Sequence, residues 1–149
     1  MIVVRKIDPE MTYTIRHTVL RPHQTIEDSK YDSDHEEDTF HVGAFYQGSL
    51  ISIASFIVDR NSDFPIERQY RLRQMATLEE FRKLSAGRAV VNYAENLIIE
   101  QGIDFLWCKG RTNVQEYYSN LGFKEHGEVF DYPPIGPHIV MCKNLIVSS

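Results

Sequence analysis

Runs of alternating apolar and polar residues predict a chain rich in β-strands. Gln47-Gly48-Ser49 separates two of these runs and favours a tight hairpin between them. The predicted strands are Ile2–Ile7, Thr39–Tyr46, Leu50–Val58, Arg68–Thr77, Ile103–Cys108, Phe123–Phe130 and Ile139–Ile146.

Apolar residues at a helical spacing predict helices between some of these strands. Asp8-Pro9-Glu10 starts the first helix, which ends near Leu20, before Pro22. A third helix follows Thr112 and Asn113. A capping box can form between Thr112 and Gln115, or alternatively between Asn113 and Glu116. The middle helix, Leu84–Gln101, carries one apolar stripe made of Ala89, Val90, Tyr93, Ala94, Leu97 and Ile98.

The fourth predicted strand breaks its own alternation. Tyr70 and Leu72 fall on one face, but Met75 is out of phase with them. A β-bulge near Gln74 would return Met75 to the inward face. The strand–helix–strand unit over residues 68–108 predicts a right-handed parallel crossover.

Composition and charge restrict the class of protein. A chain of 149 residues, 42% hydrophobic and 25% charged, is expected to form one domain over residues 1–149. The net charge of -5 argues against general nucleic-acid binding, but it leaves room for a local anion site. No apolar run is long enough to cross a membrane and no signal peptide is evident, so we expect a cytoplasmic protein.

Neither the cysteines nor the acidic segment predicts a metal site. Cys108 and Cys142 each lie in an apolar run and read as buried free thiols. Residues 32–38 resemble the start of a calcium loop, but Glu37 and Gly43 occupy positions that need glycine and glutamate. The acidic residues 27–38 are expected in a solvated surface loop, or alternatively in a wall that attracts a cationic amine.

The segment Arg82–Arg88 is the first candidate for chemistry. Ser85, Ala86 and Gly87 are small, so a ligand can approach their backbone closely where a helix starts. Arg82, Lys83 and Arg88 add positive charge, which suits a pyrophosphate. The alternative is an ordinary capped helix with solvated basic residues.

The order of three segments resembles the GCN5-related N-acetyltransferase (GNAT) superfamily. They are Met75-Ala76-Thr77, then 82–88, then Tyr117-Tyr118-Ser119-Asn120-Leu121-Gly122-Phe123, and the last fits the family's (F/Y)-Y-x-x-x-G-F pattern. In the family's Q/R-x-x-G-x-G/A loop, Arg82 and Gly87 match, while Ser85 replaces the first glycine and is small enough to cap the helix. Val19-Leu20-Arg21-Pro22, Trp107-Cys108 and Ile135-Gly136-Pro137-His138 look like those of a small bacterial subgroup.

The resemblance implies an α/β fold with a mixed central sheet, helices on both faces and two parallel strands that splay apart at the cofactor. It implies acetyl transfer from acetyl-CoA to a primary amine, by direct attack in a ternary complex, with no metal. The implied general acid is Tyr118, since a tyrosine can protonate a leaving thiolate. The implied cofactor-binding residues are Met75, Ala76, Thr77, Arg82, Lys83, Leu84, Ser85, Ala86, Gly87, Arg88 and Asn113.

Several points stay open at this stage. The general base could be His41, His138 or a carboxylate of residues 27–38. The acceptor could be a small molecule or a peptide amine, and the protein could form a homodimer. An acyl-CoA-binding sensor or interaction domain without turnover is the alternative function.

Overall fold

A mixed β-sheet forms the centre of the molecule. The structure is a computed structural model that describes residues 1–132 and 136–145. Within these residues, seven strands form one sheet in the order β1-β2-β3-β4-β5-β7-β6. They are β1 Ile2–Ile7, β2 Phe40–Tyr46, β3 Ser49–Val58, β4 Tyr70–Thr77, β5 Phe105–Arg111, β6 Lys124–Tyr132 and β7 Gly136–Asn144.

Each predicted strand is confirmed to within three residues at the ends that the structure describes. The hairpin is confirmed as well, because Gln47 and Gly48 both have positive φ, 51° and 82°, as a tight two-residue turn requires. Residues 133–135, between the last two predicted strands, and Ile146, the end of the predicted final strand, lie outside the described residues.

The helical segments are less regular than predicted. The first one runs from residue 9 to residue 20 as a 3₁₀ helix Pro9–Thr12, helix α1 Tyr13–Ile15 and a π-helix Arg16–Leu20. Helices α2 Ala86–Glu100 and α3 Gln115–Asn120 follow later in the chain. Short 3₁₀ helices cover Ile26–Ser29, Asp32–His35, Glu79–Leu84 and Thr112–Val114.

The predicted capping box at the third helix is wrong. No side chain caps either the 3₁₀ turn or α3. The Gln115 amide instead donates to the Glu125 carboxylate on β6, so tertiary contact has overridden the local motif.

Helices cover both faces of the sheet. Val90, Ala94 and Ile98 of α2 are fully buried and belong to one core cluster with Leu72 of β4. On the other face, Ile15 packs in a second cluster with strand residues Ile7, Ile53 and Ala76. The predicted α/β fold with a mixed sheet between two helical layers is therefore confirmed.

Candidate active site

A cleft opens between β4 and β5. These strands run parallel, and in the described residues they pair only at Tyr70–Leu106 and Arg71–Trp107. Beyond that point β5 continues along β7, whereas β4 continues along β3. The edge of β4 that faces β5 therefore has no strand partner near its carboxyl end, as the predicted splay requires.

The predicted bulge at Gln74 is confirmed. Ser55 of β3 pairs with Arg73, but Ile53 pairs with Ala76, so β4 holds one extra residue between these pairs. Gln74 has a φ of 54°, in the left-handed region. Because of the extra residue, Met75 packs towards α2 and Ala76 towards the first helical segment.

Thr77 ends β4 with both of its oxygens engaged. The Thr77 hydroxyl forms a 2.7 Å hydrogen bond with the Ser52 hydroxyl. The Arg82 Nε donates to the Thr77 carbonyl at 3.4 Å, a long bond. Arg82 is thereby tied to the strand end that leads into the segment before α2.

The start of α2 lies beside this strand end. Ser85 has φ 58° and ψ 29° and makes no side-chain cap, so the expectation that it caps the helix is wrong. This left-handed conformation of Ser85 is one that glycine adopts without strain. Ala86 and Gly87 are buried, while the residues at 82–85 and at 88 are exposed.

Tyr117 occupies the space in front of Gly87. A methyl group at Gly87 would overlap the Tyr117 hydroxyl and would lie 3.0 Å from the Met75 Cε. Burial raises the pKa of the Tyr117 hydroxyl, while Arg88 and Arg82 lower it in part. Sequence reasoning missed Tyr117, although the first aromatic position of the (F/Y)-Y motif marks it.

The other predicted cofactor residues are partly engaged within the chain. The Arg88 Nη2 donates to the Asn120 carbonyl at 2.7 Å, which links α2 to the end of α3. Asn113 is exposed within its 3₁₀ helix, and its side chain caps nothing. Arg82 and Arg88 are thus brought to the start of α2, and Asn113 lies beyond the carboxyl end of β5.

Tyr118 lies against the carboxyl end of β5. A Cβ on Gly110 would meet its ring at 3.2 Å, so glycine permits this approach. The Tyr118 ring stacks edge-on against Tyr117 and Phe123, with centroids at 5.5 and 5.8 Å. Burial, reinforced by Cys108 and Tyr117, raises the pKa of Tyr118, so its hydroxyl keeps its proton at neutral pH.

A buried ionic cluster contradicts part of the expectation for residues 27–38. Asp34 is only 5% exposed, and both its oxygens accept from Arg16, at 2.7 and 2.9 Å. Burial alone would raise the pKa of Asp34, but the hydrogen bonds and charge of Arg16 outweigh it and hold that pKa below its usual value. The remaining carboxylates of this segment are exposed, as expected.

His41 belongs to the same cluster and is not available as a general base. Its Nδ1 lies 2.7 Å from the Ser55 hydroxyl and its Nε2 lies 3.1 Å from the Asp34 carbonyl. Burial lowers the pKa of His41, which keeps the ring neutral. His138 pairs with Arg111 across β5 and β7, and its Nδ1 lies 2.9 Å from the Gly136 carbonyl.

The cysteines are free, as predicted. Cys108 is buried, and burial raises its pKa to about 12, so the thiolate that reacts is not formed at neutral pH. Cys142 is only half-buried. Within residues 1–132 and 136–145, no cluster of His, Cys, Asp and Glu side chains could hold a metal ion.

An open cavity of about 240 Å³ lies beside the end of β4. Its lining is mixed in charge: Thr18, Val19, Leu78, Glu79, Glu80 and Arg82.

In the part of the chain that the structure describes, no helix is long and apolar enough to span a membrane.

Comparison with known proteins identifies the family to which this protein belongs. The profile of the Acetyltransferase (GNAT) family matches residues 8–123, which include β4, α2 and the tyrosine motif. The chain therefore belongs to the GNAT family and is an acyltransferase. It is 50% identical over 148 residues to the "Uncharacterized N-acetyltransferase YitI" of Bacillus subtilis (strain 168), and the match covers 99% of each chain.

Solved structures agree on the fold. FeeM, an N-acyl amino acid synthase from uncultured soil microbes, superposes with a TM-score of 0.77 at 16% identity, covering 97% of this chain and 91% of its own. An aminoglycoside 6'-N-acetyltransferase complexed with coenzyme A gives a TM-score of 0.70 at 18% identity, with 99% of each chain covered. At these identities the likeness concerns the fold alone.

Proposed function

We propose that this protein transfers an acetyl group from acetyl-CoA to a primary amine, by direct attack in a ternary complex. The observation that carries the proposal is the cleft between β4 and β5, which has the start of α2 at one rim and Tyr118 at the other. A solved relative by fold holds coenzyme A, which supports the choice of donor.

The cleft fits an acyl-CoA in two respects. At Met75, Ala76 and Thr77, the edge of β4 that faces β5 lacks a strand partner among the described residues, so a pantetheine arm could add to this edge as a strand does. The first N–H groups of α2, at Ala86, Gly87 and Arg88, have no carbonyl partner within the helix and favour an anion. Around them we assign the pyrophosphate to Arg82, Lys83, Leu84, Ser85 and Arg88, and the arm of the donor also to Asn113.

Tyr117 must leave its place for this binding. Its hydroxyl covers Gly87, the glycine in the first turn of α2. Tyr117 is 43% exposed, so its ring can turn outward into solvent, with loss of its edge-on contact with Tyr118. We therefore expect the donor to displace Tyr117 when its phosphates reach α2.

The chemistry is a single acyl transfer. The neutral amine nitrogen attacks the thioester carbonyl carbon, a C–N bond forms, and the C–S bond breaks. The thiolate that leaves takes the proton of the Tyr118 hydroxyl, and the proton of the amine passes to a base or to water. Because burial keeps Tyr118 protonated, the donor of this proton is present throughout the neutral range.

Other features of the proposal concern setting and assembly. We assign one acetyltransferase domain to residues 1–149, an acceptor that is a small molecule or a peptide amine, and a possible homodimer. We place the reaction in the cytoplasm, because free thiols such as Cys108 and Cys142 persist in reducing compartments.

The test compares wild type with Tyr118→Phe. We expect acetyl-CoA to raise the melting temperature of both proteins by mass action. Turnover with an amine panel should fall by about 10²- to 10⁴-fold in the variant, as for loss of a general acid. Tyr93→Phe, which removes a hydroxyl from the middle of α2, should retain wild-type turnover.

Each other outcome has a definite meaning. Unchanged turnover in Tyr118→Phe would remove this residue from the mechanism. Stabilisation by acetyl-CoA without turnover on any amine would instead favour an acyl-CoA sensor. No stabilisation at millimolar acetyl-CoA would contradict both functions.

A further inference from the structure

A hydrogen bond joins the end of the first helical segment to the bulge in β4. The Arg21 Nη1 donates to the Gln74 side-chain oxygen at 2.9 Å, and both residues are partly buried. Arg21 belongs to Val19-Leu20-Arg21-Pro22, a segment without an assigned role in the proposed transfer. The bond therefore connects this segment to the strand that we assign to the acyl donor.

Gln74 is held in a backbone conformation that its residue type does not favour. Its φ of 54° lies in the left-handed region, which is strained for a residue with a Cβ. Two other non-glycine residues of the described chain have positive φ, Gln47 in the hairpin turn and Ser85 before α2. Of these three, only Gln74 lies within a strand. Such strain persists where the surroundings hold the backbone in place, and the hydrogen bond from Arg21 is a restraint of this kind.

The bulge decides which backbone groups of β4 face the donor. Side chains alternate between faces along a strand, and backbone N–H and C=O groups alternate between edges, so one extra residue reverses both beyond it. Met75 consequently packs towards α2, and Ala76 packs towards the first helical segment. The same reversal selects the backbone groups up to Thr77 that point to β5, the edge that we assign to the pantetheine arm. A straightened Gln74 would therefore misplace the donor.

Arg21 is itself fixed at two points. Its backbone N–H donates to the carbonyl of Arg16, five residues earlier, at 3.2 Å, which closes the π-helix Arg16–Leu20. Pro22 then prevents the helix from continuing. The Arg21 guanidinium lies 5.6 Å from the centre of the Tyr31 ring, a second contact that restrains the side chain.

Two local irregularities meet at this hydrogen bond. A π-turn holds one residue more than an α-turn, and β4 holds one residue more than β3 between their flanking pairs. Both kinds of irregularity are frequent next to functional sites. Here the π-turn ends at Arg21 and the bulge lies at Gln74, directly before the edge assigned to the donor.

We propose that Arg21 is a positioning residue of the acetyl transfer, which acts through Gln74 to hold the bulge that presents β4 to acetyl-CoA. The inference rests on the proposed function and adds a residue that acts without contact to either substrate. Because the bulge places the pantetheine arm, loss of the hydrogen bond shifts the thioester relative to Tyr118. The donor should therefore bind less tightly and react more slowly.

Arg21→Met tests this role, because it removes the hydrogen-bond donor and keeps an unbranched side chain. With the amine saturating, release of the CoA thiol gives kcat and KM for acetyl-CoA. We expect kcat/KM to fall by about 10- to 100-fold, through a raised KM and a lowered kcat, since small displacements of reacting groups can cost about 100-fold. Gln74→Leu should give a similar loss, and Arg21→Met/Gln74→Leu should lose little more than either single variant, because the two residues act together.

Gln74→Gly provides a rescue that a general loss of stability would not show. Glycine adopts the left-handed conformation without strain, so the bulge no longer needs the restraint. In Arg21→Met/Gln74→Gly we expect most of the lost kcat/KM to return.

Arg5→Met is the matched control. Arg5 also lies over an aromatic ring, 4.3 Å from the centre of the Phe45 ring, but it belongs to β1, with β2 and β3 between it and β4. This variant should keep the kcat and KM of the wild type. Circular dichroism checks that each variant is folded, and if Arg21→Met is not, the comparison of Gln74→Leu with Gln74→Gly carries the test.

The outcomes separate this inference from the proposed function. Wild-type kcat and KM in a folded Arg21→Met or Gln74→Leu, or no recovery with Gln74→Gly, would overturn the positioning role while acetyl transfer stands. If acetyl-CoA binds but no amine is acetylated, the proposed function fails, and calorimetric titration of acetyl-CoA decides the role of Arg21. Weaker binding in Arg21→Met that Gln74→Gly restores supports it, and equal binding overturns it. No binding of acetyl-CoA to the wild type would contradict both.

Discussion

Asp34→Asn should destabilise the fold more than any exposed acidic substitution. Arg16 is fully buried, and the change would leave its guanidinium without a compensating charge. Removing one partner of a buried ion pair costs about 3–5 kcal/mol. At an unfolding entropy of about 2.1 cal/mol/K per residue, that cost lowers the melting temperature of a 149-residue chain by about 10–16 °C.

Asp32→Asn is the matched control, because Asp32 is exposed in the same 3₁₀ helix. We expect it to change the free energy of unfolding by less than about 0.5 kcal/mol. The double variant Arg16→Met/Asp34→Leu removes both charges and should recover much of the lost stability. Urea unfolding at pH 7 measures all three, and a loss below about 1 kcal/mol in Asp34→Asn would refute the assigned role of the pair.

Three further predictions concern the backbone of α2 and the pH dependence of folding. Gly87→Ala should place a methyl group where the phosphates of the donor approach the backbone of α2 and weaken acetyl-CoA binding by tenfold or more, roughly 1.4 kcal/mol by calorimetry, and unchanged affinity would contradict the assigned loop. Ser85→Gly should relieve a left-handed backbone and raise stability by up to about 1 kcal/mol in thermal melts, whereas Ser85→Val should lower it. The pKa values of His41 and Asp34 are both lowered in the folded state, so the unfolded chain binds more protons than the folded chain. The stability of the fold should therefore decrease as the pH drops below about 6.5, and decrease further as Asp34 becomes protonated. His41→Gln should flatten the change in urea midpoint between pH 7.5 and 5.5, and an unchanged slope would exclude His41 as its source.

Features governed by local sequence could be predicted. The hairpin at Gln47-Gly48 follows from the turn residues, and the bulge at Gln74 follows from the phase shift between Leu72 and Met75. The splay of two parallel strands followed from the family resemblance rather than from the pattern. Its position is now given by two residue pairs, the last of which is Arg71–Trp107.

Features governed by contacts between residues distant in sequence could not be predicted from the sequence. Asp34 lies among exposed carboxylates, and its burial depends on Arg16, eighteen positions earlier. Serine often caps the start of a helix, but Ser85 makes no cap and takes the left-handed backbone conformation that glycine favours. The contact between Tyr117 and Gly87 joins segments that composition and periodicity treat separately.

Initial-rate kinetics with both substrates varied would test acetyl transfer most directly. With acetyl-CoA and an accepted amine varied together, reciprocal plots should intersect, because the amine attacks the thioester within a ternary complex. Parallel lines would indicate an acyl-enzyme and contradict direct attack. The absence of amine-dependent release of the CoA thiol, across anionic, neutral and cationic amines, would contradict acetyl transfer itself.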